Sequence, residues 1–197
     1  MQLCFVRHGE TEWNLQGRYQ GRADPPLCAA GAATARGIGE RLNADAHLLL
    51  VSSPLQRAAA TAALIATACG GAAVLSDARL GEIDFGAWQG LTQAQVKLRW
   101  PRMLRRWKQA PQAFRFPGGE SLADAHERLS DFLCRPPWPV GRAGAVLAVS
   151  HAGMIRLAAL IAERRPLAQF RQLAVPSGVL WAFEWSADGA LRRLGPE

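Results

Sequence analysis

At 197 residues, the chain is long enough to form one domain with a sizeable buried core. Hydrophobic residues make up 49% of it, which is typical of globular proteins, and no apolar run approaches the roughly 20 residues that a membrane-spanning helix needs. The chain opens directly into a plausible strand without a basic and then apolar leader, so we expect a cytoplasmic protein with no membrane partner.

The net charge of +7 comes from one segment. Residues 91–119 contain no acid, but they contain seven basic residues: Lys97, Arg99, Arg102, Arg105, Arg106, Lys108 and Arg115. Because the rest of the chain is neutral overall, this pattern indicates a local basic patch, and we expect no nucleic-acid partner. We predict a solvated helix face; the alternative is that these side chains attract an anionic substrate.

The cysteines and histidines show no metal-site spacing. No two cysteines form a C-x-x-C pair, and no two histidines have the spacing of paired metal ligands. We therefore predict no metal, no cofactor, and buried, reduced thiols. The residues considered are Cys4, Cys28, Cys69, Cys134, His8, His47, His126 and His151.

The elements predicted in chain order alternate between strands and helices. Apolar runs predict strands at 3–6, 48–51, 73–75 and 145–149, and a closing hairpin at 179–184 and 190–194. Helices are predicted at 29–42, 55–68, 92–108 (broken at Pro101), 121–133 and 154–163, with Ser53 and Ser121 as N-caps. We predict irregular structure at 12–26 and a surface loop at 136–139 and 141–144. This alternation predicts an α/β fold, a three-layer α/β/α sandwich with a mostly parallel sheet, in a single domain over 1–197.

Three predicted strands end in residues suited to phosphate chemistry. The first leads into Arg7-His8-Gly9, the second into a turn followed by Arg57, and the fourth into His151. Because the carboxyl ends of parallel strands meet at one edge of a sheet, we expect these residues to converge. Arginine binds phosphate oxygens with a fork of donors, and histidine can act as a nucleophile near neutral pH. Singly, each could be an ordinary ion-pair partner or core histidine; together they favour phosphoryl transfer.

Phosphoryl transfer also needs an acid that protonates the leaving oxygen. The segment 80–90 is rich in glycine and aromatic residues and carries Glu82 and Asp84. Apolar neighbours raise the pKa of a carboxyl group, so either residue could serve. Spacing does not decide between them, and a solvated loop acid is the alternative.

Six blocks, in order along essentially the whole chain, resemble the signature of the histidine phosphatase superfamily, in its phosphoglycerate mutase-like branch. The blocks are Arg7-His8-Gly9-Glu10-Thr11-x-x-Asn14, Gly17-Arg18-x-Gln20-Gly21-x-x-Asp24, Ser52-Ser53-Pro54-Leu55-x-Arg57, Glu82-x-x-x-Gly86-x-Trp88, Pro117-Gly118-Gly119-Glu120-Ser121 and Val149-Ser150-His151-Ala152-Gly153. The resemblance also implies that 91–119 forms a variable cap over the site.

The resemblance implies a role for each site residue. His8 attacks phosphorus and becomes a phosphohistidine, and Glu82 rather than Asp84 protonates the leaving alcohol. We expect the other nitrogen of His8 to donate to a backbone carbonyl. Positive charge around the phosphoryl group can then take the place of a metal. The expected phosphate-binding residues are Arg7, Asn14, Gln20, Gly21, Arg57 and His151.

The resemblance also bears on the substrate, which we expect to be a small phosphorylated metabolite. Mutases of the family are longer, so a chain of 197 residues favours hydrolysis. Residues 17–21 and 84–88 look most like the α-ribazole phosphatase subfamily, which implies α-ribazole 5′-phosphate or adenosylcobalamin 5′-phosphate as substrate. A broad-specificity phosphatase, a phosphoglycerate mutase-like enzyme, and a non-catalytic phospholigand or nucleic-acid binder are the alternatives. The oligomeric state is left open, with a homodimer as one alternative.

Overall fold

A computed structural model describes residues 1–42, 48–139 and 144–194, and it contains one mixed sheet of six strands. Their order is β3-β2-β4-β1-β5-β6; the first four run parallel, and β5 and β6 are antiparallel to their neighbours. The predicted mostly parallel sheet and closing hairpin are confirmed. The strands are β1 (Gln2–Arg7), β2 (Leu48–Ser52), β3 (Val74–Ser76), β4 (Ala145–Ser150), β5 (Leu180–Trp185) and β6 (Leu191–Arg193).

Helices cover both faces of this sheet, which confirms the three-layer α/β/α architecture. One face packs Val6 and Leu50 against Ile38 and Ile65 of the second and third helices. The other face packs Phe5 and its neighbours against the sixth and seventh helices in a larger core. The helices are α1 (Glu12–Leu15), α2 (Ala29–Leu42), α3 (Gln56–Ala68), α4 (Gln93–Arg99), α5 (Pro101–Gln109), α6 (Leu122–Cys134) and α7 (Ala152–Ala162).

Several helix starts differ from the sequence prediction, and α7 begins at Ala152 rather than at the predicted Met154. Part of 12–26, predicted to be irregular, forms α1, because Thr11 and Asn14 cap its first turn through reciprocal side chain–backbone hydrogen bonds. Ser53 is not the N-cap of α3, which begins one residue later than predicted, at Gln56. By contrast, Ser121 caps α6 as predicted, with Asp124 completing the capping box.

The basic segment 91–119 divides at Pro101 into α4 and α5, as predicted. Val96, Leu104 and Trp107 are buried, whereas the seven basic side chains are exposed. None of the seven lines the cavity beside His8. The solvated surface is therefore confirmed for these side chains, and attraction of an anionic substrate by them stays an alternative.

The thiol and loop predictions hold only in part. Cys69 is buried as predicted, but Cys4 and Cys28 are only half-buried. Cys134 is exposed because it lies at the end of α6, on the surface. In the predicted surface loop, Trp138 is buried against Phe132 and Trp185. Residues 140–143 of that loop, and His47, lie outside the described residues. In the part of the chain that the structure describes, no helix is long and apolar enough to cross a membrane.

Candidate active site

His8 follows β1 and is held in one protonation state. Its Nδ1 lies 2.7 Å from the Gly9 carbonyl oxygen, which can only accept, so Nδ1 carries the proton and Nε2 has the free electron pair. Burial, together with Arg57 and Arg7, lowers the pKa of His8 to about 3. The imidazole is therefore neutral at physiological pH, with Nε2 able to attack an electrophile.

Arg57, in the first turn of α3, fixes the position of that electron pair. Its Nε donates to His8 Nε2 at 3.3 Å, and the side chain is fully buried. Its terminal nitrogens donate to the carbonyls of Gly21 and Ala23 and to the Asp24 carboxylate, at 2.7, 2.9 and 3.2 Å. The guanidinium thus lies beside the nucleophilic nitrogen and holds the loop that contains Gln20.

His151 follows β4 and lies beside His8, with 5.1 Å between the ring centroids. Its Nε2 is 2.9 Å from Ser53 Oγ, and its buried Nδ1 has no hydrogen-bond partner among the described residues. Burial, with Arg57 and His8, lowers its pKa well below the usual value. If Ser53 donates to Nε2, the neutral ring carries its proton on Nδ1, which is then available to an incoming phosphoryl oxygen.

Six of the eight predicted site residues line one cavity of ≈ 320 Å³: Arg7, His8, Asn14, Gln20, Arg57 and Glu82. Two do not line it. His151 packs beside His8, and Gly21 contributes a carbonyl that accepts from Arg57. Gln20 Oε1 and Arg7 Nε are buried without hydrogen-bond partners in the described structure, so both atoms can form hydrogen bonds to a ligand.

Glu82 is the acid that faces this cavity. Its two oxygens accept hydrogen bonds from the backbone N–H groups of Ile83, at 3.0 Å, and Gly153, at 3.3 Å. Asp84 does not line the cavity; its carboxylate accepts from the Gly86 N–H at 2.8 Å. The geometry therefore separates the two carboxylates that spacing left equivalent.

The segment that carries Glu82 is held by α6 and the turn before it. Arg128 donates to the carbonyls of Arg79 and Gly81, at 2.6 and 2.8 Å. Glu120 accepts from Arg128 and from the Asp84 N–H, both at 3.0 Å. This partly buried ion pair, between residues eight apart, ties the Glu82 segment to α6 and limits its movement.

Several cavity residues escaped the sequence analysis. Tyr19, Phe85, Trp107 and Phe170 form an aromatic wall, and Trp107 brings the segment 91–119 to the cavity. Arg18, Arg156 and Arg171 also line it. Ser53 escaped because its position after β2 suggested an N-cap, whereas its partner is 98 residues away. Among the described residues, no group of three or more His, Cys, Asp or Glu could hold a metal ion.

Gly153→Ala should slow hydrolysis of alkyl phosphates about 10- to 100-fold, with a smaller effect on p-nitrophenyl phosphate. A Cβ at this position would overlap a carboxylate oxygen of Glu82 and the side chain of Ile83, so the acid would be displaced. Steady-state rates on both substrate types test this. Gly37→Ala is the matched control, because its added methyl meets open space. Equal losses on both substrates would contradict the positioning of Glu82 by Gly153.

Acidification should destabilise the protein through His8. Its pKa is about 3 when folded, against an ordinary 6.5, so below pH 6.5 the unfolded chain binds a proton that the folded chain does not. Stability from this group is complete above pH 6.5 and falls as pH drops, by about 2 kcal/mol between pH 7 and pH 5. Urea unfolding at pH 7 and pH 5 measures the free energy of unfolding at each pH. Its decrease between the two pH values should be about 2 kcal/mol smaller in His8→Gln than in the wild type and unchanged in His126→Gln. An identical pH dependence in His8→Gln would contradict the neutral state of His8.

The chain matches known proteins over nearly its whole length. The sequence model of the histidine phosphatase superfamily (branch 1) matches residues 3–194. Phosphoserine phosphatase 1 of Hydrogenobacter thermophilus is 40% identical over 133 residues, which cover 68% of this chain and 63% of that protein. A 2,3-bisphosphoglycerate-dependent phosphoglycerate mutase of Gloeobacter violaceus is 32% identical over 196 residues, which cover 98% of this chain and 89% of that protein. The α-ribazole phosphatase of Shigella flexneri superposes with a TM-score of 0.85 at 26% identity, covering 98% and 95% of the two chains. The matched region thus spans less than two thirds of the first of these relatives.

Proposed function

Because this chain belongs to branch 1 of the histidine phosphatase superfamily, whose relatives include phosphatases and mutases, we propose that it is a phosphomonoesterase with His8 as nucleophile. The observation that carries the proposal is the state of His8. Its Nδ1 donates to the Gly9 carbonyl, and its Nε2 faces the guanidinium of Arg57. That arrangement presents an unprotonated nitrogen at the point where a cation can hold the phosphoryl group.

The reaction proceeds in two displacements. In the first, His8 Nε2 forms a bond to phosphorus as the bond to the leaving oxygen breaks, and Glu82 gives its proton to that oxygen. In the second, a water molecule attacks the phosphohistidine, Glu82 takes up the water's proton, and inorganic phosphate leaves with Nε2 restored. Splitting the hydrolysis into two steps lowers the barrier of each.

Charge neutralisation in this reaction falls to protein cations. Arg7 and Arg57 line the cavity beside His8, and Nδ1 of His151 has no partner in the part of the chain that the structure describes. Phosphoryl transfer depends mainly on positioning and on charge stabilisation, so two guanidinium groups and an imidazole can hold the equatorial oxygens. Activity is therefore expected without an added metal.

For the substrate, the first candidate is α-ribazole 5′-phosphate, or adenosylcobalamin 5′-phosphate. The similarity to the Shigella flexneri α-ribazole phosphatase supports it, as does the aromatic wall that a planar base could contact. The second candidate is a small phosphorylated hydroxy acid, because the most identical relative described above is a phosphoserine phosphatase and because two further arginines, Arg156 and Arg171, line the cavity.

Trapping of the phosphoenzyme tests the function. The protein is mixed with p-nitrophenyl phosphate in EDTA, quenched in alkali and digested for mass spectrometry. We expect turnover, and an acid-labile phosphate on His8 that is absent from His8→Gln and present in His126→Gln. Loss of turnover in EDTA, or phosphate on another residue, would overturn the proposal. Conversion of 3-phosphoglycerate to its 2-isomer without release of phosphate would assign mutase activity instead.

A further inference from the structure

The cavity beside His8 carries more positive charge than one phosphoryl group requires. Among the described residues that line it, the only carboxylate is Glu82, against five arginines: Arg7, Arg18, Arg57, Arg156 and Arg171. Arg7 and Arg57 lie at the His8 end, where they serve the reacting phosphate. Arg18 donates to Gln16 and to the Gly90 carbonyl, so it is engaged within the protein. Arg156 and Arg171 remain to be explained.

Arg156 and Arg171 present unused donors to the cavity. Arg156 donates from Nε to the Leu173 carbonyl at 2.7 Å, and its guanidinium lies 5.5 Å from the Phe170 ring centroid. Its two terminal nitrogens make no hydrogen bond to any described residue. The exposed Arg171 lies 5.9 Å from the Trp107 ring centroid and makes no ion pair or hydrogen bond within the described structure. Both guanidinium groups are thus positioned by aromatic rings while their terminal N–H groups stay available.

The charges that line the cavity suit a small molecule with two anionic groups. Arg7 donates to the Val175 carbonyl at 2.9 Å, and Arg156 donates to the Leu173 carbonyl at 2.7 Å. Both side chains are therefore held by the same short segment after α7. Arg7, Arg171 and the single acid Glu82 are the charged groups that Arg156 faces. Among the described residues that line the cavity, Glu82 is thus the only acid that offsets the charges of Arg156, Arg171 and Arg7.

We infer that Arg156 and Arg171 form a second oxyanion site, so that the preferred substrate carries a carboxylate or a second phosphate on its leaving alcohol. This inference rests on the proposed phosphomonoesterase activity and narrows its substrate. Guanidinium groups bind planar or tetrahedral oxyanions through paired N–H donors, and both chemistries fit this site. A neutral leaving group such as α-ribazole would leave both cations uncompensated.

Matched substrate pairs test the second oxyanion site. Phosphoserine carries a carboxylate where phosphoethanolamine carries hydrogen, and 3-phosphoglycerate carries one where glycerol 3-phosphate carries a hydroxymethyl group. Wild-type protein should show kcat/KM at least about 10-fold higher for the carboxylate-bearing member of each pair, the effect expected of one charge-assisted hydrogen bond. Glycerol 1,3-bisphosphate tests a second phosphate in the same way. If its kcat/KM exceeds that of the carboxylate-bearing substrates, the second oxyanion site is a phosphate site.

Variants that remove a positive charge from the second oxyanion site test it directly. Arg171→Met is the first, because this exposed side chain makes no hydrogen bond that folding would need. It should lower kcat/KM about 10-fold or more for substrates with a second anionic group. For glycerol 3-phosphate, kcat/KM should stay within about twofold of the wild-type value. Arg156→Met should act in the same direction, and Arg156→Lys should recover part of the loss. Arg36→Met removes an exposed charge on α2, outside the cavity, and should change neither member of a pair.

The outcomes separate this inference from the proposed function. Turnover of p-nitrophenyl phosphate with phosphohistidine formation, combined with equal rates on both members of each pair, would overturn the second site and keep the phosphatase. The same holds if Arg171→Met lowers kcat/KM equally for both members of a pair, or if α-ribazole 5′-phosphate is preferred to every substrate with a second anionic group. Absence of phosphohistidine and of any turnover would instead reject the phosphatase itself.

Discussion

Replacement of His8 by glutamine should reduce hydrolysis of p-nitrophenyl phosphate by about 10⁴-fold or more. Glutamine can still hydrogen-bond near the Gly9 carbonyl, but it offers no nitrogen electron pair that can bond to phosphorus. The covalent step is therefore lost while Arg7, Arg57 and the cavity remain. Initial rates, measured together with far-UV circular dichroism, separate loss of chemistry from loss of fold.

His126→Gln is the matched control for this experiment. His126 lies on α6 and does not line the cavity, so the same chemical change there should leave the rate near that of the wild type. If His8→Gln kept more than about 1% of the wild-type rate, direct attack by water would replace the phosphohistidine mechanism.

Replacement of Glu82 by glutamine should lower the rate on alkyl phosphates by about 10²- to 10⁴-fold. An alkoxide is a poor leaving group and needs a proton in the transition state, whereas nitrophenolate leaves without one. The loss on p-nitrophenyl phosphate should therefore be much smaller. Rates on glycerol 3-phosphate and p-nitrophenyl phosphate, measured at one pH, give the comparison directly.

Asp84→Asn is the control that the structure offers for Glu82. Its carboxylate accepts from the Gly86 N–H and does not line the cavity, and asparagine can keep that bond through its oxygen. We expect a rate within a few-fold of the wild type on both substrates. Equal losses for Glu82→Gln on both leaving groups, or an alkyl-selective loss in Asp84→Asn, would contradict the assignment of Glu82 as the acid.

Much of the fold could be predicted because its signals are local. The helix 29–42 has the predicted bounds, Ser121 caps α6, and Pro101 separates α4 from α5. Each of these depends on residues within a few positions of one another, through hydrophobic periodicity, capping geometry or the missing proline N–H. The parallel sheet followed from the alternation of such elements.

Two of the predictions that failed depend on distant partners. Ser53 has the residue type and position of an N-cap, yet its hydroxyl contacts His151. Trp138 lies in a stretch with the prolines of a surface loop, yet it packs between Phe132 and Trp185. In each case a long-range contact decided the role of a side chain whose local sequence indicated another.

By itself, the sequence determined the order of the elements and placed Arg7, His8, Arg57 and His151 at the ends of parallel strands. It did so because strand ends and their turns are encoded locally, and parallel strands share one carboxyl edge. Spacing left Glu82 and Asp84 equivalent, and only the family resemblance favoured Glu82. The tertiary structure decided that Glu82 faces the cavity and that Arg156 and Arg171 line it. Those positions depend on how α6, α7 and the segment after α7 pack. This packing brings together residues that are far apart in the chain, and it leaves no periodic pattern in the sequence.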